Sequence, residues 1–293
     1  MEIQHWSLLG IIGHALLLGC CFLVTVAHFI MEPLRWNRCY QPVDCSPAGH
    51  KGVRDALFCT TLATYILPFK LGIPLRIFLL RRHGELSLHF LGVVIALDGL
   101  VSLSAWAVVA ASCAWLAALH WSPPWYLWLV IFASALACVA AVTVRRAIGL
   151  RLLQRLREAL ALLDNPWRRI GLSAVILLVD VLSYGLRHAM LLLLVTGDFR
   201  HIWIGGSIGI IATFAGIVSG LPMGLVGYDA TLVALLTLVG VPPEQALLIA
   251  LINRALNLAS AAMLGIPAAM RLGLGSSVGS IIRKFREIAH DRT

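Results

Sequence analysis

The sequence predicts an all-α polytopic membrane protein, built as an inverted repeat of span–re-entrant hairpin–span units that a connecting span joins. Three observations lead to this fold class. The 293-residue chain is 60% hydrophobic and only 13% charged, with a mean hydropathy of +0.89. Its apolar runs are long and continuous, and two of them are interrupted by proline, glycine and charge. Soluble domains carry about 25% charged residues and β-barrels alternate apolar with polar positions, so both classes are excluded.

The predicted elements follow from the length of each apolar run. A spanning helix needs about 20 mainly apolar residues. The runs that meet this length are 7–30, 86–119, 125–144, 170–195 and 244–270. After the first span we expect a polar loop that reaches Asp55. The runs 56–80 and 202–240 are broken in the middle and are predicted to be re-entrant hairpins, which gives five spans and two hairpins. If both runs crossed completely, the chain would have eight or nine spans.

The two broken runs resemble each other in the proline and glycine residues that interrupt them. The breaks are predicted at Pro68 and Gly72 in the first run, and at Pro222, Gly224 and Gly227 in the second. Each run is followed by a glycine, Gly84 or Gly240, and then by a long apolar helix that contains one charge, Asp98 or Arg254. Interrupted segments in corresponding positions of two halves indicate a transporter binding site.

The distribution of positive charge orients the chain, whose net charge is +9. The loop 145–169 holds seven of the 23 Lys and Arg residues, and the tail 271–293 holds five. The positive-inside rule places both in the cytoplasm and the N-terminus outside. The helices after the two broken runs then point in opposite directions, so the repeats are inverted.

The predicted organisation is a single transmembrane domain over residues 1–293. Repeat one covers about 7–119 and repeat two about 170–270. A connecting span and a basic amphipathic loop occupy about 120–169, and a basic cytoplasmic tail covers 271–293.

Seven ionisable residues are predicted to lie at membrane depth. A charge at the bilayer centre costs about 2.5–3.5 kcal/mol on insertion scales, so these groups should pair or face a wet cavity. Four are cations and three are anions, which leaves one cation to suit an anionic phosphate. Structural ion pairing is the alternative role for each. The predicted substrate-binding residues are Lys70, Arg76, Asp98, Asp180, Arg187, Asp229 and Arg254.

Other polar groups in the apolar runs carry less information. His14, His28 and His89 each stand alone on an apolar helix, and they are interpreted as satisfied core histidines rather than as proton relays. No spacing typical of a metal, nucleotide or acyl-transfer site is found in the sequence. The sequence therefore predicts no catalytic residue, no cofactor, no metal and no nucleic-acid partner. Membrane lipids are the expected partners, and a homo-oligomer or a membrane-enzyme partner is left open.

At four places the chain resembles the lysylphosphatidylglycerol synthase transmembrane region, a family that includes YbhN-like and AglD-like flippase proteins. The first is the segment Leu34-Arg35-Trp36-Asn37-Arg38, and the second runs from Pro68 to Arg76. The third leads from Gly84-Glu-Leu-Ser87 to Asp98. The fourth, the most specific, joins Pro222-Met-Gly224 to Asp229, Gly240 and Arg254. The resemblance covers roughly residues 7–275.

The resemblance also has departures. Lys70 replaces an arginine of the family pattern, Ile73 and Asp98 replace glutamates, and Gly99 replaces an arginine. Asp229 likewise replaces a glutamate. One acid and one base are thus lost together, which preserves the charge balance.

The resemblance implies a protein of the bacterial or archaeal cytoplasmic membrane that moves a lipid headgroup between leaflets. The chain is not expected to be an enzyme, because it carries no soluble aminoacyl-transfer domain. The alternatives from the residues are an intramembrane lipid-modifying transferase, or its accessory subunit, and a non-transporting scaffold.

Overall fold

A computed structural model describes residues 8–40, 46–66, 72–84, 86–120, 165–199, 202–219 and 227–274. In these parts of the chain all regular structure is helical. The helices are α1 (Leu8–Arg35), which continues into a π-helical turn (Trp36–Tyr40), α2 (Pro47–Ile66), α3 (Gly72–His83), α4 (Leu88–His120), α5 (Pro166–Thr196), α6 (Ile202–Val218), α7 (Gly227–Leu238) and α8 (Pro243–Arg271).

Four of these helices are long and apolar enough to cross a membrane, so the protein is a multi-pass membrane protein. The spans are Ile12–Tyr40, Phe90–Leu116, Pro166–Thr196 and Pro243–Arg271. They confirm four of the five predicted spans. The fifth, at 125–144, and the basic loop up to residue 164 lie outside the described residues. Helices α6 and α7 are apolar but shorter than a span.

The polar loop predicted to reach Asp55 is much shorter in the structure, so that prediction was wrong. Helix α1 passes through Pro33 and ends only at Arg35, and α2 already begins at Pro47. The start of α2 has a local cause: the backbone N–H of Gly49 donates to Ser46 Oγ at 3.0 Å. A serine cap followed by proline in the first helical position is a strong helix start.

Glycines allow two helix pairs to approach closely. On α6, a Cβ at Gly205 or Gly209 would collide with Leu192 or His188 of α5. On α8, a Cβ at Gly265 would lie 2.5 Å from Leu62 Cβ of α2. Small residues at helix interfaces are typical of membrane bundles, where close backbone packing replaces the hydrophobic driving force.

Helix α5 has an exposed apolar face and a buried polar face. Its apolar side chains at four positions one turn apart are about half exposed or more: Val175, Val179, Leu182 and Leu186. Its other face buries Asp180, Tyr184 and Arg187. An apolar outer stripe suits contact with lipid, and the polar inner face contributes to the cavity described next.

Candidate functional site

Helix α1 carries a polar stripe on its inner face, formed by Thr25, His28, Glu32 and Arg35. Their spacing of three, four and three residues places all four on one side of a helix. Each side chain contacts a residue from another helix, and these contacts build the site.

Arg35 and Asp98 of α4 form the most buried ion pair among the described residues. Arg35 Nη2 lies 2.8 Å from Asp98 Oδ1, and the two side chains are 7% and 10% exposed. Arg35 Nη1 donates to Ser102 Oγ at 3.0 Å, and Trp36 Nε1 donates to Asp98 Oδ2 at 3.3 Å. Asp98 Oδ1 has no hydrogen-bond partner among the described residues. The close contact is therefore an ion pair without hydrogen-bond geometry.

Glu32 pairs with Arg76 of α3 in a more open position. Glu32 Oε1 lies 2.7 Å from Arg76 Nη1, and the side chains are 28% and 22% exposed. Thr61 of α2 donates to Glu32 at 3.5 Å. This cluster links α1, α2 and α3.

His28 is bonded to Asp180 of α5, one turn of α1 before Glu32. Its Nδ1 lies 2.6 Å from Asp180 Oδ1. The imidazole ring also meets the Tyr184 ring edge-on, with the centroids 5.1 Å apart. Two residues of α5, Asp180 and Tyr184, therefore hold the His28 ring in position.

Arg254 of α8 forms a forked ion pair with Asp229 of α7. Arg254 Nε lies 3.0 Å from Oδ1 and 3.1 Å from Oδ2 of Asp229, and Nη2 also contacts Oδ2. The two side chains are about one-quarter exposed. A planar guanidinium that bridges a carboxylate can equally bridge a phosphate.

Arg187 is fully buried and has no carboxylate within ion-pair distance among the described residues. Its Nη1 donates to Asn257 Oδ1 at 2.7 Å and to Thr25 Oγ1 at 3.2 Å. The guanidinium carbon lies 4.0 Å from the centre of the Tyr184 ring. Nε and Nη2 have no hydrogen-bond partner in the described part of the chain.

A buried network connects α5, α7 and α8 beside these charges. His188 Nδ1 lies 2.9 Å from the carbonyl oxygen of Tyr184, which can only accept, so Nδ1 carries the hydrogen. The Tyr228 hydroxyl therefore donates to His188 Nε2, at 2.6 Å. The same hydroxyl accepts from Asn253 Nδ2 at 2.8 Å.

The stripe and its partners surround a cavity of about 510 Å³. All eight described helices contribute residues to its wall. The polar lining includes His28, Glu32, Arg35, Arg76, Asp180, Tyr228, Asn253, Arg254 and Asn257. Asn253 Oδ1 is buried without a partner among the described residues, so it is available to accept a hydrogen bond. The volume lies in the range of small-molecule sites, about 300–1,000 Å³.

The family model of the lysylphosphatidylglycerol synthase TM region matches residues 4–265. The chain belongs to this family. No match was found among curated proteins or among solved structures.

In this family member the predicted site residues divide into three groups. Arg76, Asp180 and Arg254 line the cavity. Asp98, Arg187 and Asp229 contact lining residues from behind, through the bonds described above. Lys70 and the predicted breaks at Pro68, Pro222 and Gly224 lie outside the described residues.

The two other predicted breaks begin helices. Gly72 begins α3, where a Cβ would collide with Thr64 of α2. Gly227 begins α7, where a Cβ would lie 2.7 Å from Ser219, directly after α6. In both broken runs the second helix therefore begins in close contact with the end of the first.

Sequence reasoning misses several cavity residues on α1. The predicted first span ends at Ile30, which leaves Glu32 and Arg35 outside the membrane. His28 was interpreted as a satisfied core histidine. Asp180 does satisfy it, but His28 lines the cavity and does not lie in an apolar core. His14 is exposed rather than in a core. The helical spacing of the polar residues on α1 is the signal that could have identified the stripe.

Proposed function

We propose that the protein is a flippase-like lipid transporter. It moves the headgroup of an anionic or zwitterionic phospholipid, or of a polyprenyl phosphate, between the leaflets of a bacterial or archaeal cytoplasmic membrane. The observation that carries this proposal is the charged cavity of about 510 Å³ inside a bundle of apolar helices. Charged groups in a bilayer are costly and mark substrate pathways when they face a cavity.

The chemistry of the wall suits a phosphate-bearing headgroup. Arg76 and Arg254 each hold a carboxylate in a partly exposed pair. A phosphate that displaces Asp229 from Arg254 replaces one forked contact by another, so the guanidinium is not left without a partner. The released carboxylate can bind an amine or sugar hydroxyl of the same headgroup. The acyl or prenyl chains stay in the bilayer.

The helix order supports an inverted repeat with two re-entrant hairpins. Helices α1 to α4 contain 28, 20, 12 and 33 residues, and α5 to α8 contain 31, 17, 12 and 29. Each half thus has a long helix, a broken pair and a second long helix. In this proposal the N-terminus is outside and the C-terminus is cytoplasmic.

The two alternatives are a lipid-modifying transferase, or its accessory subunit, and a membrane scaffold. A scaffold provides no reason for a charged cavity to which all eight described helices contribute. A transferase would change the labelled lipid chemically, whereas a flippase returns it unchanged in the other leaflet.

The proposal is tested by lipid movement in reconstituted vesicles. Purified protein is placed in phosphatidylcholine vesicles with fluorescent phosphatidylglycerol, phosphatidylethanolamine or polyprenyl phosphate. Dithionite then bleaches the outer leaflet, and the rate of further bleaching gives the rate of transfer. The wild-type protein should accelerate at least one lipid over protein-free vesicles, with the lipid recovered intact. Equal rates with and without protein for all three lipids would refute the proposal.

Two arginines of α8 provide a matched pair of variants. Arg254 and Arg271 both hold an aspartate by two hydrogen bonds or more, but only Arg254 lines the cavity. A hydrogen bond to a charged group contributes about 1.5–3 kcal/mol, so Arg254→Gln should slow transport about tenfold or more. Arg271→Gln should stay within about twofold of the wild type, because Arg271 is an exposed arginine away from the cavity. If both variants transport at the wild-type rate, Arg254 does not bind the headgroup.

A further inference from the structure

We propose that His28 and Asp180 form a proton-binding site that couples the movement of an anionic headgroup to the movement of a proton. This inference rests on the proposed function, because it assigns the driving ion of the same cavity. Both side chains line the cavity, and they come from different helices, α1 and α5.

The geometry of the pair leaves one imidazole nitrogen ready for a proton. Asp180 Oδ1 lies 2.6 Å from His28 Nδ1, and an ionised carboxylate can only accept, so Nδ1 carries the hydrogen. In the neutral ring Nε2 is then an unprotonated acceptor. The described residues provide no hydrogen-bond partner for it, and the histidine side chain is 20% exposed. A proton that reaches the cavity can bind at Nε2, and Asp180 then stabilises the imidazolium.

Ionisable side chains from six of the described helices line the cavity around the His28–Asp180 pair. They are Glu32 and Arg35 of α1, Tyr65 of α2, Arg76 of α3, Tyr184 of α5, Tyr228 of α7 and Arg254 of α8. The wall residues from α4 and α6 are Ser102, Trp106, Thr213, Gly216 and Ile217, which do not titrate. Behind this wall lie Arg187 and His188 on α5, Asp98 beside Arg35, and Asp229 beside Arg254.

His28 differs in kind from these neighbours. Arg35, Arg76 and Arg254 are each paired with a carboxylate, and Arg187 donates to Asn257 and Thr25. His188 is held between the Tyr184 carbonyl and the Tyr228 hydroxyl. Imidazole is the side chain that ordinarily changes charge between about pH 5 and 8. His28 combines this chemistry with an open nitrogen at the cavity wall, so it is the group through which pH acts on the cavity.

The charge balance of the cavity determines which headgroups need a proton for transport. In the described part of the chain four arginines (Arg35, Arg76, Arg187, Arg254) face four carboxylates (Glu32, Asp98, Asp180, Asp229). The sum is zero when His28 is neutral. An anionic headgroup would leave an uncompensated negative charge in a low-dielectric site, and one proton on His28 removes it. A zwitterionic headgroup brings no net charge and needs no proton.

The first test compares the pH dependence of two lipids in the vesicle assay, with equal pH on both sides. For the wild type, the rate for fluorescent phosphatidylglycerol should fall as pH rises, by up to about tenfold per pH unit if one proton accompanies each headgroup. The rate for fluorescent phosphatidylethanolamine should change less than about twofold over the same range. A pH gradient should also drive phosphatidylglycerol towards the alkaline side, with proton entry seen by a trapped pH dye.

Three variants test whether the pH dependence of the phosphatidylglycerol rate comes from His28 and Asp180. His28→Gln keeps an N–H donor for Asp180 but binds no proton, so its phosphatidylglycerol rate should be nearly independent of pH. Asp180→Asn should change the pH profile, because the imidazolium loses its carboxylate. His14→Gln is the matched control, an exposed histidine of the same helix outside the cavity lining, and it should keep the wild-type profile. A wild-type slope in His28→Gln would overturn the proposal.

A second measurement separates this proposal from the proposed function. Side-chain nitrogen NMR of the purified full chain in nanodiscs, compared with His28→Gln, follows the His28 imidazole without any transport. Its signal should change with pH in the wild type, and this change should differ in Asp180→Asn. If it does not titrate, the proton site is overturned even when lipids move. If it titrates while no lipid moves, the proton site is supported and the flippase proposal fails.

Discussion

The buried Arg35–Asp98 pair should behave as a structural unit, and a double-mutant cycle tests this. The perturbations are Arg35→Gln, Asp98→Asn and the two together. Both side chains are at most one-tenth exposed and lie 2.8 Å apart, and Ser102 and Trp36 complete the cluster. Each single change leaves the opposite charge buried without its partner.

The expected magnitude follows from this burial. Two unit charges about 4 Å apart attract by about 4 kcal/mol at an effective dielectric constant of 20. Breaking a buried pair by removing one partner typically costs about 3–5 kcal/mol, since the remaining charge stays desolvated. We expect each single variant to lose that much free energy of unfolding. The double variant removes both charges, and the two introduced amides can hydrogen-bond each other, so it should lose no more than either single variant.

The assay is reversible unfolding of the purified protein in mixed micelles, with the free energy measured for all four proteins of the cycle. The sum of the single effects should exceed the effect of the double variant by at least about 2 kcal/mol. Arg271→Gln is the control: Arg271 is 51% exposed beside Asp55, so its loss should cost about 1 kcal/mol or less. A double variant as unstable as the sum would refute the reasoning, because Arg35 and Asp98 would then act independently.

Three further predictions concern packing and the buried polar groups. Gly265→Ala should cost about 1–3 kcal/mol of unfolding free energy, because the added Cβ would collide with α2. An added Cβ at Gly92 has no neighbour within 4 Å, so Gly92→Ala should be neutral or stabilising. Equal effects would contradict this. Arg187→Met should match or exceed the wild-type Tm, since the guanidinium is buried without a carboxylate among the described residues, yet it should slow lipid transport. A large fall in Tm would contradict it. Tyr228→Phe should cost about 1–3 kcal/mol in the same unfolding assay, because two buried partners lose their bond; no change would contradict it.

The spans could be predicted from the sequence because the bilayer fixes their length. Hydropathy located α4, α5 and α8 to within a few residues at each described end. Helices α3 and α7 begin at Gly72 and Gly227, two of the residues predicted to interrupt the apolar runs. Hydropathy failed at the end of α1. A hydropathy scan stops at Glu32, but the helix continues because Arg76 neutralises that carboxylate and Asp98 neutralises Arg35. Neither partner is close to α1 in sequence.

The site could be predicted as a set of charges but not as a set of pairs. The sequence predicted that the buried charges pair without assigning the partners, and the structure pairs Asp98 with Arg35 and Arg254 with Asp229. Periodicity within one helix does not determine which helices become neighbours. The buried amides Asn253 and Asn257 were missed because the predicted site was restricted to ionisable residues.

The ion pairs differ in solvent exposure. This difference determines which of them a headgroup could displace in the proposed transport. The Arg35–Asp98 pair is closed to solvent, so a headgroup cannot displace it without separating α1 from α4. The Glu32–Arg76 and Asp229–Arg254 pairs are open enough for a phosphate to reach their guanidinium groups. They also join the short helices α3 and α7 to long helices. Substrate binding would therefore release the short helix of each half, while α1 stays fixed to α4 by the buried pair.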